Sequence, residues 1–202
     1  MTSGAFIRKL FGAAGLTLTL LIAPFAHAAN ITFGQVLGDL ANVQSIKVPF
    51  TEVRHLSILT RALTLHGELI YRKPDFLEKR ITAPVKQRFT LNGNRITLVD
   101  AQGQTRSISL NMAPPALSGI VDAYRALLRG DRNALEFNYW TTFRAQGRHW
   151  RLVLEPKARN LQNYLKNVTI DGDGARIETI DTRQANGDRS VMKMQPPATD
   201  GK

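Results

Sequence analysis

The chain has 202 residues, a length suited to one domain with room for a core and a pocket. Its 43% hydrophobic and 21% charged residues exclude a disordered or fibrous chain, and its lack of cysteine excludes thiolate nucleophiles, iron–sulfur clusters, disulfide scaffolds and a Cys-acylated lipoprotein. With 27 Lys and Arg against 16 Asp and Glu the net charge is +11, so an anionic partner, nucleic acid or acidic lipid, is the first to consider.

Arg8 and Lys9 precede a run without charges from Leu10 to Ala29, and Ala26-His27-Ala28 has the small-x-small spacing that signal peptidase cuts. Residues 1–28 are read as a secretory signal and residues 29–202 as a single exported domain, which makes nucleic acid an unsuitable ligand. Removing Arg8 and Lys9 lowers the positive charge by two and leaves the domain basic. No later apolar run reaches the roughly 20 residues that cross a bilayer, so the mature domain is expected to be soluble.

Phe33, Val36, Leu37, Leu40 and Val43 recur at helical spacing, with Asn30 or Thr32 available as cap. From Ile46 to about Leu110 the period becomes two. Leu63, Leu65, Leu69 and Tyr71 alternate with Thr64, His66, Ile70 and Arg72, and Gly67 fits a bend or bulge in that strand. The segments 76–82, 86–92, 95–100 and 104–110 read as further strands separated by Pro84, Asn92-Gly93-Asn94 and Gly103. After Pro114-Pro115, the residues Leu117, Ile120, Val121, Tyr124, Leu127 and Leu128 form one apolar helical stripe that ends at Gly130. Strands resume at Phe137 to Arg144 and His149 to Glu155, followed by two hairpin-like segments over 167–194 with turns at Gly172, Gly174 and Gly187. The pattern predicts one curved antiparallel sheet with the apolar helix inserted into it.

Catalytic motifs are missing from this pattern: there is no GxSxG, HExxH or P-loop. The Asp171-Gly172-Asp173-Gly174 stretch lacks the further ligands of a calcium loop and lies between strands, where a hairpin turn is expected. His55, His66 and His149 sit near polar strand positions, and Glu52, Glu68 and Glu78 lie near Arg54, Arg72 and Arg80 as solvated ion pairs. No catalytic residue, metal site or cofactor is expected.

The run PFTEVRHLSILTRALTLHGELIYRKPDFLEKRITAP opens with a phenylalanine in an F-x-Q/E pattern, then places a glycine before a strand that ends in a basic residue plus Pro. The later run from Leu152 to Met194 carries an L-x-P-K turn, a D-x-x-G hairpin and a following glycine-led strand. In order and spacing these runs resemble the outer-membrane lipoprotein carrier protein family, LolA-like, over most of residues 29–202. The resemblance implies an α+β fold: an incomplete, unclosed antiparallel β-barrel with a helical lid over an apolar cavity. It implies a periplasmic monomer that takes an acylated lipoprotein or other lipid cargo from an inner-membrane donor complex to an outer-membrane acceptor. The alternative is a sensor or scaffold of the same fold that binds a membrane-protein partner, and the third class is a lipid-acting hydrolase or acyltransferase.

Cavity candidates on the strands are Leu63, Leu65, Leu69, Tyr71, Phe89, Leu91, Ile96, Leu98, Trp150 and Leu152, with Leu117, Ile120, Val121, Tyr124 and Leu127 on the lid. Family members carry an arginine before the Pro of the basic-Pro pair, where it contacts lid-side carbonyls; Lys73 holds that position here. Leu77 and Lys79 stand where the family tends to place aromatic residues. These departures imply a divergent member, with a different acylated or polyketide-like lipid as a possible cargo.

Overall fold

The computed structural model describes residues 29–196, and the proposed signal and the end of the tail lie outside them. The first element is α1 (Phe33–Ala41), which starts where Thr32 and Gln35 close a reciprocal capping box. Six strands follow as a meander: β1 (Ser45–His55), β2 (Leu63–Arg72), β3 (Phe76–Ala83), β4 (Gln87–Asn92), β5 (Arg95–Val99) and β6 (Thr105–Ser109). Three helical elements come next: a 3₁₀ turn (Leu110–Met112), α2 (Pro115–Arg129) and α3 (Arg132–Asn138). The chain then runs through β7 (Tyr139–Gln146), β8 (His149–Pro156), α4 (Arg159–Gln162), β9 (Leu165–Asp173), β10 (Arg176–Gln184) and β11 (Arg189–Met194).

All eleven described strands form one antiparallel sheet in the order β6-β5-β4-β3-β2-β1-β11-β10-β9-β8-β7. The two meanders meet at the centre, where β1 pairs with β11, and β6 and β7 are left as the outer edges of an unclosed barrel. That order dictates where the long helix goes. The chain must travel from one outer edge to the other between β6 and β7, and α2, about 22 Å long at 1.5 Å per residue, crosses the concave face on the way. Pro115 starts α2 and Gly130 ends it in the left-handed conformation, at φ 70°.

Two packed regions flank the crossing. The larger joins Phe33, Val36, Leu37 and Leu40 of α1, Ala123, Ala126 and Leu127 of α2, and the inner face of β8 to β10. The smaller joins Leu91, Ile96, Leu110 and Val121. Gly67 marks the bend expected in β2: the β2–β3 register shifts between His66 and Gly67, and a Cβ there would stand 2.0 Å from the Arg80 carbonyl oxygen.

Three local expectations are corrected. Phe137 belongs to α3 and not to a strand, because Asp131 accepts a hydrogen bond from the Ala134 amide (2.9 Å) and nucleates a short helix there. Gly172 lies within β9, where a Cβ would stand 2.4 Å from the Trp150 ring, so it serves close packing and the turn begins after it. Glu52 and Glu78, at 2% and 7% exposure, are buried and not solvated.

Candidate functional site

Between the two packed regions, under α2, the sheet encloses an open cavity of about 920 Å³, at the upper end of the roughly 300–1,000 Å³ range of ligand pockets. Its wall is predominantly apolar. Leu69, Lys79, Phe89 and Leu98 stand directly opposite one another across β2, β3, β4 and β5, so alternation turns all four side chains to the concave face. Leu117, Ile120, Val121, Tyr124, Leu127 and Leu128 contribute the roof, since spacings of three and four residues keep them on one face of α2.

Of the residues singled out from the sequence, Leu69, Tyr71, Phe89, Leu98, Leu117, Ile120, Val121, Tyr124 and Leu127 line this cavity. The other six are placed elsewhere. Leu65, Trp150 and Leu152 are buried in the larger core and Leu63 packs against it, while Leu91 and Ile96 belong to the smaller core. The physical reason is the cover over each part of the sheet. In the β7–β8 region Phe33 of α1 packs on the strands, stacked on Phe143 (ring centroids 5.2 Å apart), and Phe143 stacks on Trp150 (6.4 Å), so these side chains fill the inner face as part of the core.

The roof is held at several points. Arg129 pairs with Asp75 in the β2–β3 turn, and Arg125 donates to the Gly93 carbonyl in the β4–β5 turn. On the other side the Tyr139 hydroxyl donates to the Gly119 carbonyl (2.8 Å), and burial pushes its phenol up to about 12. Lys73 Nζ donates to the Ala41 carbonyl at 2.8 Å. Its contact is thus with the last residue of α1, which packs beside α2: a Cβ on Gly130 would come within 2.9 Å of the Leu37 carbonyl oxygen.

Sequence reasoning missed the polar part of the wall. Glu52 and Arg54 of β1 and Lys79 of β3 all line the cavity. The Glu52 carboxylate accepts from Lys79 Nζ at 2.5 Å, from Arg54 Nε at 3.0 Å and from the Ser190 hydroxyl. Burial raises the Glu52 pKa, but the charge of Lys79 and the hydrogen bonds from Arg54, Lys79 and Ser190 outweigh it and hold the carboxyl below its ordinary value. Burial holds the Lys79 ammonium below the usual lysine range, with only partial compensation by Glu52. The available signal was the alternation Ile46, Val48, Phe50, Glu52, Arg54, which carries the inward face of β1 from apolar to charged residues.

Among the described residues no cluster of three or more potential metal ligands occurs, and no helix is long and apolar enough to cross a membrane.

No curated protein matches the chain. Among solved structures, a LolA superfamily protein from Nitrosomonas europaea shares 11% identity, with 82% of this chain and 92% of that one covered at a TM-score of 0.40. An outer membrane lipoprotein-sorting protein domain from Vibrio parahaemolyticus shares 10% identity, with 84% and 92% covered at 0.47. A chain from the Pseudomonas aeruginosa MucA/MucB complex shares 13%, with 83% and 59% covered at 0.44. The model of the family described as outer membrane lipoprotein carrier protein LolA-like matches residues 25–201. That match takes in every described strand and helix, and the chain belongs to this LolA-like family.

Proposed function

We infer that the protein is a periplasmic carrier that holds the acyl chains of a lipoprotein or another lipid in the cavity under α2 and moves them between the inner and outer membranes. The observation that carries this reading is the apolar cavity of about 920 Å³, roofed by a helix whose course between the two sheet edges is fixed by topology. Each buried methylene contributes about 0.8 kcal/mol, so a chain of about 15 costs on the order of 12 kcal/mol to expose to water. A carrier offsets that cost with apolar wall and releases its cargo when the roof moves; the Arg125, Arg129 and Tyr139–Gly119 contacts are those that motion of α2 must break.

In this reading residues 1–28 direct export, an inner-membrane complex donates the cargo and an outer-membrane acceptor receives it. Native mass spectrometry of the exported protein tests it: a retained lipid adduct and transfer of a labelled acyl lipid between vesicles are expected. Protein that carries no adduct and takes up no fluorescent acyl probe would reject it.

A second reading, binding of a membrane-protein partner, draws support from the outer edge. Phe137 and Trp140 are 82% and 64% exposed beside β7, an edge strand, with Lys157 Nζ 4.4 Å from the Trp140 ring centroid. Partner capture that persists in lipid-free protein and is lost in Trp140→Ala would favour that reading.

A further inference from the structure

The cavity wall is not uniformly apolar, and its charges do not cancel. Glu52 is the one carboxylate in direct contact with both Lys79 and Arg54, so this part of the wall carries two cationic groups against one anionic group. The Glu52 oxygens are already shared among Lys79, Arg54 and Ser190. Lys79 is in the opposite condition. An ammonium has three donors, and among the described residues Glu52 is the only acceptor that hydrogen-bonds to it.

Its position makes that shortage significant. The Lys79 side chain is only 19% exposed, and it occupies the middle of the row Leu69, Lys79, Phe89, Leu98, with the Phe50 ring centroid 5.2 Å from Nζ. Unspent donors on a mostly buried cation are costly unless something accepts them. A second polar group of the wall is in a similar state: the hydroxyl of Tyr71, a residue 5% exposed, has no hydrogen-bond partner.

We propose that the cavity takes an amphiphile with a carboxylate head, whose oxygens bind at the Lys79 ammonium while its chain lies along the apolar wall beneath α2. The proposal rests on the carrier reading and deepens it by naming the head group. The excess positive charge selects an anion over a neutral head. The limited exposure at Lys79 favours a compact head, which a carboxylate is and a glycerol-linked phosphate is not.

The experiment uses the exported protein, stripped of lipid, and three probes with one shared chain: oleate, methyl oleate and oleyl phosphate, titrated at mildly alkaline pH and low salt. Oleate is expected to bind at least about tenfold more tightly than methyl oleate, and no less tightly than oleyl phosphate. Lys79→Met keeps the apolar stem and is expected to remove the preference, bringing oleate to the affinity of methyl oleate measured on the same variant; Lys79→Arg is expected to retain it. Equal affinity of wild type for oleate and methyl oleate overturns the head-group assignment and leaves the carrier reading standing. Tighter binding of oleyl phosphate overturns the choice of carboxylate. Failure of all three probes overturns both readings. The wild-type comparison decides the matter even where Lys79→Met does not fold, and thermal unfolding of each variant identifies that case.

Discussion

Arg129, in the last turn of α2, is ion-paired with Asp75, in the turn between β2 and β3. This contact fastens the C-terminal end of the roof to the sheet. The Arg129 and Asp75 side chains are about half and about one-third exposed, so the pair is screened and is worth only about 0–1 kcal/mol to the fold. Its effect on the cavity is of a different kind, because an opening of the roof at that end would have to break it.

Arg129→Ala should therefore shift release more than stability. We expect the dissociation rate of a bound acyl probe to rise about threefold, with a change in unfolding free energy below about 1 kcal/mol. Stopped-flow displacement and thermal unfolding on one sample check this. An unchanged dissociation rate would show that the roof does not open at Asp75.

At Gly67 two strands and an inward ring come close together. A Cβ there would stand 2.0 Å from the Arg80 carbonyl oxygen and 2.9 Å from Phe50 Cζ, and the first contact is with backbone, which cannot swing away. Gly67→Ala is expected to cost about 1–3 kcal/mol, the range of overpacking in a close-packed interior. Urea unfolding measures it. A wild-type midpoint would mean that the β2–β3 register adjusts freely.

The Glu52 cluster makes stability depend on acidity with a definite sign. The folded carboxyl titrates below its ordinary value of 4.5, so on acidification the unfolded chain takes up its proton first. The contribution of Glu52 is complete above that value and is lost as pH falls through the folded one. Glu52→Gln is expected to cost on the order of 2 kcal/mol near neutrality, with the gap to wild type narrowing as the medium is acidified from neutrality through and below the ordinary carboxyl value of 4.5. Urea midpoints across that range measure the gap, and a constant difference would count against the assignment.

The fold was legible in the sequence because two periods dominate it. Alternation in residues 63–71, interrupted only at Gly67 and Ile70, and the three-to-four spacing from Leu117 to Leu128 each favour one assignment, and Pro114-Pro115 with Gly130 bracket the helix. The cavity was legible only in part. Alternation shows which side of a strand faces inward but not what covers that side, so Leu152 in the packed core and Leu98 on the cavity wall have the same signature. The charged wall was hidden for a related reason. Glu52 and Arg54 lie two residues apart, which reads as an exposed pair; the β1–β2 and β2–β3 registers set Lys79 in line with Leu69 and Val48, and its long side chain reaches past Phe50 to Glu52.

That difference in cover yields a test with an internal control. Ile120 faces the cavity from α2, where an introduced carboxylate can point into open space and stay solvated; Leu152 is fully buried in the β7–β10 core, where it cannot. Ile120→Asp should abolish uptake of a fluorescent acyl probe while lowering stability by only about 1 kcal/mol. Leu152→Asp buries an unpaired carboxylate at interior density and should cost several kcal/mol, a large fraction of the total stability of a domain this size. Probe binding and urea unfolding, measured together on both variants, separate the two cases. Comparable destabilisation by both would mean that the space beneath Ile120 is packed as tightly as that around Leu152. Full probe binding by folded Ile120→Asp would place the acyl chain away from α2.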